Sequence, residues 1–123
     1  MKTKIPGELE MQVLDILWQD GNCSISDIFE KLKLKRKIAY TTIATVLQRL
    51  YNKGQVDREE RANHYIYTSH FNKKTYSLRL IKNFLNGLMN NFGDVAITSF
   101  AESLDSLPKK KREYLLKLLN EKK

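Results

Sequence analysis

One segment, between Thr41 and Asn52, limits what this chain can fold into more than any other. Ile43, Val46, Leu47 and Leu50 recur at helical spacing and form a single apolar face. Gly54, just after Asn52 and Lys53, is a C-terminal stop. The opposite face carries Thr41, Ala44, Thr45, Gln48 and Asn52, polar and almost without charge. A helix that merely faces water favours Glu and Lys there, and β-branched threonines cost helix propensity. The face is therefore built for something other than solvation.

The flanking patterns define its setting. Leu9, Val13, Ile16 and Leu17, with Met11, Leu14 and Trp18 beside them, predict a first helix ended by Gly21. Ser26, followed by Asp27 and Glu30, reads as the N-cap of a short second helix through Leu32. Lys33 to Lys37 is a basic connector. After Gly54 the composition changes: Gln55–Glu60 and the aromatic, β-branched His64–Thr68 read as two strands around the polar Arg61-Ala62-Asn63, with Asn63 suited to a turn. Such a hairpin is unstable alone and must lean on the helices.

Beyond residue 72 the character shifts. Ile81, Phe84, Leu85, Leu88 and Phe92 form one stripe, a short helix follows Gly93, and Pro108 opens a last helix with Tyr114, Leu115, Leu118 and Leu119 on one side. So little chain cannot cover these faces, and a second copy is the expected cover. The expected class is mainly α with a small β-hairpin wing: a winged helix-turn-helix domain over 1–72 and a helical dimerisation region over 73–123.

Helix, short helix, connector, helix, hairpin places one helix for the major groove, with a bracing helix before it and a wing beside it. Thr41, Thr45 and Gln48 supply short groups for base edges; Thr42 suits either contact or bracing, and Tyr40 either packing or a phosphate hydroxyl contact. Lys35, Arg36, Arg49, Lys53, Arg58 and Arg61 suit phosphates, although Arg49 also borders the apolar face. The net charge of +8 favours a polyanion partner. The charge alone does not locate the site: residues 1–72 hold 11 basic and 9 acidic side chains, and residues 73–123 hold 11 and 5.

The run Ala39-Tyr40-Thr41-Thr42-Ile43-Ala44-Thr45-Val46-Leu47-Gln48-Arg49-Leu50, closed by Lys53-Gly54, resembles the recognition-helix signature of the BlaI/MecI penicillinase-repressor family. Leu9-Glu10 and Trp18 fit its first helix, and Val56, Arg58, Tyr65 and Tyr67 fit its wing. The resemblance implies a homodimeric repressor on palindromic operators, controlling antibiotic-resistance or related stress genes. It also implies induction by a membrane sensor metalloprotease that cuts the helical tail. The matching bond here is Ser99–Phe100, where the best-known members have Asn-Phe. Copper-responsive relatives carry Cys-x-Cys pairs near the C-terminus, and no cysteine follows Cys23 here.

Other functions find little support. There is no Ser-His-Asp order, no H-E-x-x-H and no phosphate-cradling glycine loop, so no enzyme, cofactor or small-molecule substrate is expected. His64 and His70 lack neighbours for a metal site, and Cys23 reads as a small core residue. The first six residues lack the apolar run of a secretory signal, and no apolar stretch spans a membrane; a cytoplasmic protein is expected. The rival reading is a winged-helix adaptor that binds protein rather than specific DNA.

Overall fold

A computed structural model describes residues 7–122. The stretch from Met1 to Pro6, read above for a signal, lies outside the described residues. The chain divides into two compact units, with the boundary between Ile81 and Lys82.

The first unit contains three helices and a hairpin. Helix α1 (Glu8–Asp20) buries Val13, Leu14, Ile16 and Leu17, and two acids in its first turn suit the positive end of its dipole. Helix α2 (Ile25–Leu32) starts two residues earlier than the Ser26 reading. Ser24, not Ser26, is the cap: its hydroxyl accepts from the Asp27 N–H at 3.1 Å, and the Asp27 carboxylate accepts from the Ser24 N–H at 2.9 Å. This reciprocal capping box satisfies two otherwise unpaired donors, which a Ser26 cap with no acid three residues on does not offer.

Helix α3 (Tyr40–Asn52) buries Ile43, Val46, Leu47 and Leu50, the four residues of its apolar face. Its end is a Schellman motif: Gly54 at φ +75° donates to the Tyr51 carbonyl, and Gln55 donates to that of Leu50. The chain then runs directly into strand β1 (Val56–Arg61), which pairs antiparallel with β2 (His64–Ser69). Arg61 belongs to β1 and pairs with His64, so the loop is only Ala62-Asn63. Both loop residues have positive φ, 44° and 72°, as a two-residue hairpin turn requires.

The hairpin leans on the helices through Val56 and Tyr67, both buried in the common core with Leu14, Ile28, Leu32 and Leu47. Cys23 adds a short backbone bridge to it. Its N–H donates to the Tyr67 carbonyl at 3.0 Å, and the Tyr67 N–H donates back at 2.7 Å. Burial pushes the Cys23 thiol up from its usual range, with Asp20 and Asp27 adding to the shift. Trp18 ties α1 to the end of the wing: its indole N–H reaches both Ser69 Oγ and the Phe71 carbonyl at 2.9 Å.

Helix α4 (Lys73–Phe92) begins earlier than the apolar stripe suggests, because the Asn72 carboxamide caps it by accepting from the Thr75 N–H at 2.8 Å. Its first turns complete the core through Tyr76 and Leu80. The second unit holds the rest of α4, α5 (Asp94–Ser103), a single 3₁₀ turn (Leu104–Ser106) and α6 (Lys109–Glu121). Gly93, at φ +59°, and Pro108 cap α5 and α6. No described residue from 82 to 122 is buried. Phe92, Ile97, Phe100 and Leu119 are all at least half exposed. None of the helices among the described residues is long and apolar enough to cross a membrane.

Candidate nucleic-acid interface

The unburied side of α3 carries Thr41, Thr45, Gln48 and Asn52 in one stripe, all exposed. Thr42 and Arg49 flank it, also exposed. The helix contains no acidic residue, so nothing on it repels a phosphate backbone. Core packing of the opposite face fixes its rotation about its own axis.

The polar groups of the stripe are already ordered. Thr45 Oγ1 donates back to the Thr41 carbonyl at 3.0 Å, a common use of threonine in a helix. The Thr45 methyl and the oxygen lone pairs stay free for another partner. Gln48 Nε2 donates to Asn52 Oδ1 at 3.0 Å, and Gln48 Oε1 accepts from Arg58 Nη1 at 2.9 Å. The Tyr40 ring packs edge-on to Phe29 at 5.9 Å, and 45% of its surface is exposed.

The cations around α3 fall into two groups. Lys35, Lys37 and Arg49 have no side-chain hydrogen bond or ion pair among the described residues. The others are engaged. Arg36 Nη1 donates to Gln12 Oε1 at 2.8 Å, Lys53 meets Glu10 at 3.4 Å, and Arg61 meets Glu59 at 3.3 Å. Arg58, on the wing, is half-buried, with its guanidinium 3.9 Å from the Tyr51 ring centre and 4.2 Å from that of Tyr65.

Several acids elsewhere on this unit are also engaged. Lys31 pairs with Asp20, Lys73 with Asp15 at 3.6 Å, and His70 Nδ1 with Asp57 at 2.9 Å. A cleft of about 340 Å³ opens beside the helix, lined by Leu9, Glu10, Thr42, Thr45, Val46 and Arg49, among others. No cluster of three or more metal-ligating side chains occurs among the described residues.

Sequence reasoning did not find the Arg58 sandwich or the Gln48–Asn52 pair. The aromatic partners stood in the sequence as Tyr51 and Tyr65, but only the packing of α3 on the hairpin and the pairing of its two strands bring both to Arg58.

A three-helix unit with a buried apolar face on its third helix, an exposed polar stripe opposite it and a two-stranded wing alongside defines a winged helix-turn-helix protein. A family model described as penicillinase repressor matches residues 6–121. The chain belongs to that family. It is 29% identical over 121 residues to the methicillin resistance regulatory protein MecI of Mammaliicoccus sciuri, covering 98% of each chain. It is 28% identical to the penicillinase repressor of Staphylococcus aureus over 112 residues, 91% of this chain and 88% of that protein. A shorter match, 42% identical over 62 residues, links 48% of the chain to 45% of the transcriptional regulator BlaI of Mycobacterium tuberculosis.

Proposed function

We propose that this protein is a transcriptional repressor that binds a palindromic operator in duplex DNA as a homodimer. The observation that carries the reading is the α3 stripe of Thr41, Thr45, Gln48 and Asn52, exposed, free of acids and fixed by the core behind it. Short side chains on a helix held by its core suit base edges in the major groove, and Arg49 on the same helix and Lys35 in the connector before it, without partners among the described residues, suit phosphates. Membership of a family described as penicillinase repressor, and relatives named as regulators, support the same reading.

The dimer is inferred from the second unit. Residues 82–122 form helices with Phe84, Leu85, Phe92, Leu118 and Leu119 exposed and bury none of their side chains. Helices with that much apolar surface need a cover, and exposed patches of this kind mark association sites on soluble proteins. A second copy supplies an identical set of faces, and two-fold symmetry also sets two α3 helices at a fixed spacing for a palindrome. Ile81, Leu88 and Leu115 belong to the same proposed surface.

The test begins with selection of DNA by the protein from a random duplex library, followed by fluorescence anisotropy on the selected and a scrambled duplex. The expected result is a selected palindrome bound at least a hundredfold more tightly than scrambled DNA, on the scale typical of specific over non-specific binding. Phe84→Asp is expected to give a monomer by sedimentation that still folds in its first unit but loses most of that preference. A wild type that stays monomeric at high micromolar concentration defeats the dimer; one that selects no sequence defeats the repressor reading and favours a protein-binding adaptor.

A further inference from the structure

We propose that Arg58 is a positioning residue that sets the donor–acceptor direction of Gln48 on the recognition helix, and so determines which base that helix prefers. The inference rests on the DNA-reading function above. Arg58 lies on β1, yet its guanidinium sits between Tyr51 of α3, at 3.9 Å, and Tyr65 of β2, at 4.2 Å. A planar cation between two aromatic faces is held by both, and the two rings belong to different elements. The stack therefore fastens the wing to the C-terminal half of α3 and confines the guanidinium to the space between the rings.

It points at Gln48 Oε1, to which Nη1 donates at 2.9 Å. A guanidinium is only ever a donor, so the group it meets must be the carboxamide oxygen, not the nitrogen. That contact fixes which end of the amide is which. Gln48 Nε2 then faces the next turn, where it donates to Asn52 Oδ1 at 3.0 Å. Asn52 in turn has its oxygen engaged. The relay from Arg58 through Gln48 to Asn52 uses an oxygen at each step and leaves one N–H of Gln48 and both N–H of Asn52 unspent.

The free groups of the pair are thus mainly donors. A glutamine with both ends free reads adenine with its oxygen on N6 and its nitrogen on N7, whereas a donor-biased pair matches an edge of acceptors. Guanine offers two, O6 and N7, in the major groove. The structure assigns to this part of α3 a preference for guanine over adenine, imposed from the wing. The Arg58 guanidinium is accordingly engaged by Gln48 and the two rings rather than by a phosphate.

The experiment uses the full chain and the duplex that the wild type selects from a random library. Each base pair of one half-site is replaced in turn, and affinities are read by anisotropy at several salt concentrations. Arg58→Lys and Arg58→Met are compared with wild type and with Gln48→Ala, and thermal melting identifies variants that have unfolded. The wild type is expected to prefer guanine at the position that Gln48→Ala identifies. Both Arg58 variants should lose about tenfold of discrimination there, with the other positions unchanged. The salt slope should be unaltered, and Arg58→Met should add nothing in the Gln48→Ala background.

Arg58→Lys that keeps wild-type discrimination, or Arg58→Met that flattens the log-affinity slope by about 0.9, makes Arg58 a phosphate contact and overturns the proposal. Equal losses at every position make it a packing residue and also overturn it. These results leave base reading by α3 intact. Only a wild type that discriminates no sequence removes both readings together.

Discussion

Two replacements of Thr45 separate what its side chain offers to a base edge. The hydroxyl proton is committed to the Thr41 carbonyl at 3.0 Å, so the parts that face outward are the methyl and the oxygen lone pairs. If the methyl is what meets a thymine methyl or a base edge, Thr45→Ser removes it and Thr45→Val keeps it. Burial of one such group is worth ~0.8 kcal/mol, which is about fourfold in affinity because each 1.4 kcal/mol is a factor of ten. Thr45→Ser is therefore expected to bind the selected duplex about fourfold more weakly and scrambled DNA unchanged. Thr45→Val, of nearly the same shape, is expected to stay within about twofold of wild type. Fold stability is little affected by either, since Ser, Thr and Val differ by only a few tenths of a kcal/mol in helix propensity. Anisotropy on both duplexes measures the contrast. The reverse order, a tenfold loss for Val with Ser close to wild type, would show that the hydroxyl leaves Thr41 and bonds the DNA directly, and the argument from the free structure would fail.

Two further expectations concern charge and stability. Lys35 has no partner among the described residues, while Arg36 is tied to Gln12 and Lys53 to Glu10; Lys35→Ala is expected to flatten the log-affinity versus log-salt slope by about 0.9, and an unchanged slope places Lys35 on the solvated surface. Trp18→Phe removes the indole donor to Ser69 and Phe71 and part of the packing on Tyr76 at 5.5 Å; a loss of about 2 kcal/mol in urea unfolding is expected, and a loss below about 0.5 kcal/mol denies that the link matters.

Local periodicity made the helices legible, and local composition the wing. The α3 apolar set Ile43, Val46, Leu47 and Leu50 is buried as its spacing requires, and the aromatic and β-branched run His64–Thr68 after the polar Arg61-Ala62-Asn63 marks the hairpin. What escaped sequence reading depends on partners distant in the chain or on competition between near neighbours. Ser24 and Ser26 both precede the α2 pattern, and only the acid at position 27 selects Ser24, through the reciprocal bond. The Cys23 bridge to Tyr67 pairs residues 44 apart in a strand too short for a pattern. Ala62 has positive φ in the turn, where composition pointed to Asn63 alone. At the candidate interface, residue types gave the α3 stripe and the nearby cations, but not which cations are engaged. Arg58 was legible as a wing cation, but its stack on Tyr51 of α3 and Tyr65 of β2 was not, because those rings are brought to it by tertiary packing and by strand pairing.

If the helical tail is cut, as the family resemblance implies, its cleavage and the proposed dimerisation are linked through α5. Ser99 and Phe100 lie inside α5, and a protease needs the chain extended, so the helix must open before either bond beside Phe100 is cut. A helix of 10 residues is marginal without tertiary support. In the single chain α5 has little of it, since Val95, Ile97 and Phe100 are 63%, 57% and 50% exposed. Whatever covers those side chains also holds the helix closed. If the cover is the second copy, cleavage must follow dissociation. A cut at Ser99–Phe100 then separates the α4 stripe of Phe84, Leu88 and Phe92 from Leu115, Leu118 and Leu119 of α6. The linked presentation of two DNA-binding units, an advantage of about 10²–10⁴ in affinity, falls away without any change in α3. Chymotrypsin, which cuts after aromatic residues, tests the coupling directly. Mass spectrometry is expected to show the rate of cleavage at Phe100 falling as protein concentration rises through the dimer dissociation constant, and falling further with the selected duplex present. A rate that is the same for monomer and dimer would mean that α5 is held open or closed by its own chain, and that the tail does not couple assembly to proteolysis.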